Sequence, residues 1–145
     1  MQPLQVSPLN QAVYLAAQVP PEDPLYEQAQ QSIQRWSQMI WDIAQARANR
    51  GEYSSALSAA LLVPKEAPEL KAQADVAANE WRPLAAEQNQ ALLDSARSLV
   101  IEGDAPSYSR AIEILRLIPP DQPRYAESQA VVCRVEPNHF ANCPR

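Results

Sequence analysis

Three residues near the end of the chain, Cys133, His139 and Cys143, are of types that could ligate a metal or form a covalent link. A structural zinc site takes four ligands, usually in closely spaced pairs, so these three do not compose one. No metal site is expected. For Cys133 and Cys143 two readings stay open. One is a disulfide that pins the tail and implies an oxidising compartment; the other is two unpaired thiols. His139 is the sole histidine. No GxSxG, GxGxxG, P-loop, HExxH or EF-hand spacing occurs. The 17 Asp and Glu residues fall near helix starts and on solvated faces rather than in pairs set for acid–base work. Neither catalytic residues nor a cofactor are expected.

Charge narrows the partners. The net charge is −5 and the pI about 4.8. No Lys or Arg precedes Arg35, so the basic stripe that nucleic acid requires is missing, and no nucleic-acid partner is expected. No apolar run approaches the roughly 18 residues of a membrane span, so no membrane insertion by this segment is expected. The N-terminal stretch lacks the cationic start of a signal peptide. The expectation is a cytoplasmic protein or an extracytoplasmic fragment of a tethered one.

What remains to be read is architecture. A chain of 145 residues is one domain by length and can bury a real core. Good helix formers dominate, and only two glycines occur, Gly51 and Gly103. The 14 prolines cluster between periodic segments and act as punctuation. One Pro-rich joint occurs three times. It runs from Val19 to Tyr26, from Val63 to Leu70 and from Ile118 to Tyr125, at spacings of 44 and 55 residues. In each, aliphatics end one helix and a Pro blocks its continuation. An acidic residue follows, Glu22, Asp23, Glu66 or Asp121, where a helix macrodipole favours it. A second Pro then takes the first turn of the next helix.

Between the joints lie helical hairpins. The first long helix should run from about Pro24 to Asn49. Ala29, Ile33, Trp36, Ile40 and Ile43 form one face, and Met39, Trp41, Ala44 and Ala48 widen the apolar surface beyond a narrow stripe. Gly51 stops it, and a shorter helix follows to about Leu62. The next unit opens at Pro68, and Pro83 predicts a kink or a fresh helix start within it. Its pattern continues to Gly103, and a helix from about Pro106 to Leu117 follows. The domain thus reads as a partial unit 10–23, a unit 24–67, an expanded unit 68–122, a capping helix 123–136 and an irregular tail 137–145. Trp36 and Trp81 recur at matching places, as core packing predicts. Trp41 has no such counterpart; Leu93 stands at its distance from the glycine.

Ala44, Gly51, Tyr53, Ala56, Val63 and Pro68 resemble the tetratricopeptide pattern in order and spacing. Ala96, Gly103, Ala111, Ile118 and Pro123 match it with an expanded turn, and Ala12, Val19 and Pro24 look like the end of an earlier unit. The likeness covers most of residues 10–125. It is to a divergent form, of a kind common in bacterial and particularly cyanobacterial proteins. The family period is about 34 residues, shorter than the spacings here, and Arg47 and Ala60 stand where large aromatics are usual. The resemblance implies an all-α fold, a right-handed α-solenoid of antiparallel helix-turn-helix repeats. It places a partner groove on Gln38, Trp41, Gln45 and Asn49, and in the next unit on Gln90 and Arg97. Trp41 would be its anchor; the alternative reading is that Trp41 packs against the neighbouring helix, since interior helices of an array have few free faces. The function implied is a non-catalytic module or scaffold that holds a protein or peptide partner. The alternative is a structural or assembly spacer of a larger protein, membrane-tethered or not. That role predicts self-association through apolar surface near Leu4–Leu15 or Val131–Val135.

Overall fold

The computed structural model describes residues 6–120 and 122–136. Every regular element among them is a helix: α1 (Val6–Ala16), α2 (Tyr26–Asn49), α3 (Tyr53–Leu61), α4 (Pro68–Glu102), α5 (Ala105–Leu115) and α6 (Tyr125–Val135). The protein is all-α in these residues. It divides into two compact units, Met1–Arg82 and Pro83–Arg145, and the division falls inside α4.

In the first unit α1 and α3 each pack against α2. The α2 helix buries Ile33, Ser37, Ile40, Trp41 and Ala44, and α3 answers with Ala56, Leu57, Ala59 and Ala60. Three alanines among those four let the two backbones come close, while Ile40 and Leu57 are fully enclosed. Each such side chain contributes about 1.5–3 kcal/mol on leaving water. The turn between them is set by Gly51 at φ 76°. Its N–H bonds the Ala48 carbonyl at 2.9 Å, and the Glu52 N–H reaches back to the Arg47 carbonyl at 3.0 Å. This is a Schellman closure, which needs a left-handed residue. Across the turn, the Arg47 guanidinium donates to the Ser55 carbonyl at 3.2 Å. Arg47, where an aromatic was expected by resemblance, therefore stitches α2 to α3.

The Pro-rich joints close alike. The N–H groups of Val19, Val63 and Ile118 each bond the carbonyl three residues back, at 3.2, 3.1 and 3.2 Å. Asp23 and Ala67 do the same to Pro20 and Pro64, at 3.0 and 3.2 Å. The first joint adds a side-chain closure, with Asp23 Oδ1 accepting the Leu25 N–H at 2.8 Å. Asp121, the acid expected in the third, lies outside the described residues.

In the second unit Leu93 and Ala96 of α4, Ala111 and Leu115 of α5, Ile118 and Val132 of α6 form one buried cluster. Gly103 turns the chain at φ 80°, and Asp104 caps α5 by accepting the Ser107 N–H at 2.7 Å. That bond first, and a second one with the Ser107 side chain, hold the Asp104 carboxyl below its ordinary value. Asn89, fully buried in α4, donates to the Pro123 carbonyl at 3.0 Å and to Gln122 Oε1 at 3.4 Å.

Two sequence expectations are corrected here. The fresh helix start at Pro83 does not occur, since α4 runs unbroken from Pro68 to Glu102 with Pro83 inside. Asn79, Arg82, Pro83 and Leu84 are all exposed. Pro83 removes the N–H that the Asn79 carbonyl would accept, and on an exposed stretch water can take the place of such a donor. The tryptophans also differ from expectation in part: Trp36 and Trp81, expected in the core, are not fully buried, and Trp41 follows its packing alternative rather than the exposed-anchor reading. Trp41 is 6% exposed, whereas Trp36 and Trp81 are only half-buried. The matching positions are those counted from the turn glycines. Ser37 and Asn89, Trp41 and Leu93, and Ala44 and Ala96 stand at equal distances before Gly51 and Gly103, and all six are buried. After the turns, Ala56, Leu57 and Val63 are answered by Ala111, Ile112 and Ile118, again all buried.

Candidate partner-binding site

The first unit carries a depression of about 410 Å3 between α2 and the first half of α4. Trp41 supplies its wall from α2, and Ala72, Gln73, Val76, Ala77 and Glu80 line it from α4. The indole of Trp41 is held by stacking on Trp81, with centroids 6.0 Å apart and planes 19° from parallel. Offset aromatic stacking of this kind is worth about 0.5–1.5 kcal/mol beyond the area it covers. Trp41 is thus a rigid edge of the depression rather than a protruding anchor. Val76, 62% exposed, is the most open apolar side chain of that lining.

The other groove residues of this unit flank that wall. Gln38, Gln45 and Asn49 are exposed on α2, and Gln38 Nε2 donates to Asp42 Oδ1 at 2.8 Å. In the second unit Gln90 is half-buried, and its Nε2 donates to Asp94 Oδ1, also at 2.8 Å. Counted back from Gly51 and Gly103, these two amide–carboxylate pairs occupy the same position. Each spans one helical turn on its own helix, where such pairs add a few tenths of a kcal/mol, about 0.2–0.5. Their amides are engaged locally, which narrows what they can offer a ligand.

Arg97 is exposed and lines a second depression, of about 400 Å3, within the second unit. Val100 and Ile101 follow it on α4, and Glu127, Val131 and Arg134 face them from α6. The floor is apolar, Ile101 is 85% exposed, and guanidinium groups stand on both helices. Glu127 Oε1 accepts from Arg124 at 3.0 Å. A bond from its own backbone N–H and one from the Arg124 guanidinium hold its carboxyl below the ordinary value, with further contributions from the charges of Arg124 and Arg97.

On the helix that follows each joint the two depressions use matching registers, whereas the residues contributed by the preceding helix differ. Counted from Pro68 and Pro123, Ala72 corresponds to Glu127 and Val76 to Val131, and each pair lines its own depression. Sequence reasoning missed Val76 and Ile101, and named Val131–Val135 only as a surface for self-association. For Val76 and Val131 the signal was present, as valines at the same distance after Pro68 and Pro123.

Cys133 is half-buried in α6, and its candidate partner Cys143 lies outside the described residues, as does His139. Among the described residues no three metal-ligating side chains gather, and no helix is long and apolar enough to cross a membrane. No protein-family model, curated protein or solved structure matches the chain.

Proposed function

We propose that this chain is a non-catalytic interaction module, a divergent array of tetratricopeptide-like hairpins that holds peptide segments of a protein partner. The observation that carries this reading is the recurrence of an apolar-floored depression beside the helix that follows a Pro-rich joint, in matching register, at Ala72 and Val76 and again at Glu127 and Val131. Buried positions before each turn glycine recur with it. Both depressions have volumes within the range of about 300–1,000 Å3 usual for ligand sites, and each contains a residue expected in the groove, Trp41 or Arg97.

The test is peptide display against the wild-type chain and against Val76→Glu. Val76 is exposed, so the substitution leaves the core intact, whereas Trp41→Ala would also destabilise it. Peptides enriched by the wild type should lose at least tenfold in affinity for Val76→Glu. If every selected peptide binds both proteins equally, the depression beside Trp41 is not the groove.

A further inference from the structure

The cleft between the end of α4 and α6 has a definite chemistry. Its floor is Val100, Ile101 and Val131, and its rim carries Arg97 and Arg134. The one carboxylate lining it, Glu127, accepts a hydrogen bond from Arg124, and Asp94, outside the lining, stands 3.9 Å from Arg97 as an exposed ion pair that solvent screens. The fitting ligand is a corner with one apolar side chain between carboxylates. In a chain of net charge −5, such a basic rim is a local exception.

The chain itself presents one such corner. The first joint, residues 20–27, carries Glu22 and Glu27, both exposed, around Leu25, which is 60% exposed. On α1, which precedes the corner in the chain, Tyr14 and Leu15 are also exposed, at 67% and 65%. Three turn bonds hold the corner: Asp23 N–H to Pro20 O at 3.0 Å, Leu25 N–H to Asp23 Oδ1 at 2.8 Å and Tyr26 N–H to Asp23 O at 3.0 Å. With Pro20, Pro21 and Pro24 it is pre-organised, which lowers the entropy cost of docking. The other two joints lack this chemistry. Glu69 and Arg124 stand where the first has Leu25, and Lys65 enters the second.

We propose that the α4–α6 cleft of one molecule receives the residue 20–27 corner of a second copy, head to tail. Leu25 enters the floor formed by Val100, Ile101 and Val131. Glu22 and Glu27 face Arg97 and Arg134. The contact is heterologous, so each molecule offers both halves and association continues beyond a dimer until it closes or is capped. The proposal names the occupant of one of the two proposed grooves and rests on that reading of the cleft. The groove beside Trp41 stays available to a different protein.

The experiment is sedimentation velocity of the full chain from about 10 µM to about 1 mM, since the contact is small and association follows mass action. Wild type should show rising mass with concentration at low salt and lose it at about 1 M NaCl, where screening acts within about 3 Å. Arg97→Glu/Arg134→Glu and Glu22→Lys/Glu27→Lys should each be monomeric when alone. All four positions are at least partly exposed, and circular dichroism checks that the variants fold. Mixed in equal amounts, the two variants should associate again, because the basic corner of one meets the acidic cleft of the other. A wild-type chain monomeric throughout overturns the proposal, as does association that survives either charge reversal or a mixture that stays monomeric. A monomer leaves the peptide groove at Val76 intact, and loss of peptide binding at Val76 leaves the head-to-tail contact intact.

Discussion

Trp41 and Trp81 stack 6.0 Å apart, and this pair joins α2 to α4 within the first unit. Trp41 is 6% exposed, whereas Trp81 is less buried. Trp41→Ala should therefore destabilise the chain by about 3–5 kcal/mol, and Trp81→Ala by less. The double variant should reveal a coupling of about 0.5–1.5 kcal/mol. Urea unfolding of the wild type, both single variants and the double variant measures all three quantities. Additive losses would show that the rings do not act as a pair.

Gly51 has open space where a Cβ would stand, so only its backbone angle resists substitution. Gly51→Ala should cost about 1–2 kcal/mol, and Gly51→Asn clearly less, because Asn tolerates the left-handed region. Arg124 offers the converse case. It is the one non-glycine with positive φ among the described residues, at 72°. Arg124→Gly should gain up to about 1 kcal/mol, less the small contribution of its exposed pair with Glu127. Thermal melts of these variants against wild type check both signs.

Asp104 should make stability depend on acid pH. Its folded pKa lies below the ordinary 3.8 because the ionised carboxylate accepts hydrogen bonds from Ser107. The unfolded chain then binds the proton more readily. The stabilisation is fully present above the unfolded value and is lost as pH falls through the folded one. Asp104→Ala should lower the melting temperature at pH 7 and flatten its fall below pH 4. Asp104→Asn should keep most of the cap at pH 7 while also flattening the acid limb. Identical acid limbs in wild type and Asp104→Asn would rule out this source.

Asn89 places an amide donor against two acceptors, Gln122 Oε1 and the Pro123 carbonyl, in a site with no exposure. Asn89→Asp keeps the shape but sets a carboxylate against those oxygens. It should destabilise the second unit by more than the roughly 1–3 kcal/mol of a lost buried hydrogen bond, and most severely at neutral pH, where the carboxylate is charged. Chemical denaturation at pH 7 and pH 4 tests this, since protonation should restore part of the loss.

The joints were legible in sequence because their causes are local. Pro20, Pro64 and Pro119 lack the N–H a helix needs, and Gly51 and Gly103 accept the left-handed angle that closes one. The ends of α2, α3 and α5 accordingly fall within a few residues of where the prolines and glycines place them. The candidate site was legible only in part. Gln38, Trp41 and Arg97 were singled out, but Val76 and Arg134 matter only once α4 and α6 are placed beside their neighbours.

The sequence by itself determined an all-helical chain and the positions of its turns, because hydrogen-bond stops and helix propensity act within a few residues. Which face of each helix goes inside was decided by tertiary structure. On α2 apolar residues cover too wide an arc for spacing to choose between Trp36 and Trp41, and the choice was made by where α4 brings Trp81. The course of α4 through Pro83 was not readable from the local pattern either: a proline removes one helix hydrogen bond and crowds the carbonyl one turn back, yet α4 continues through it where Asn79, Arg82, Pro83 and Leu84 are all exposed.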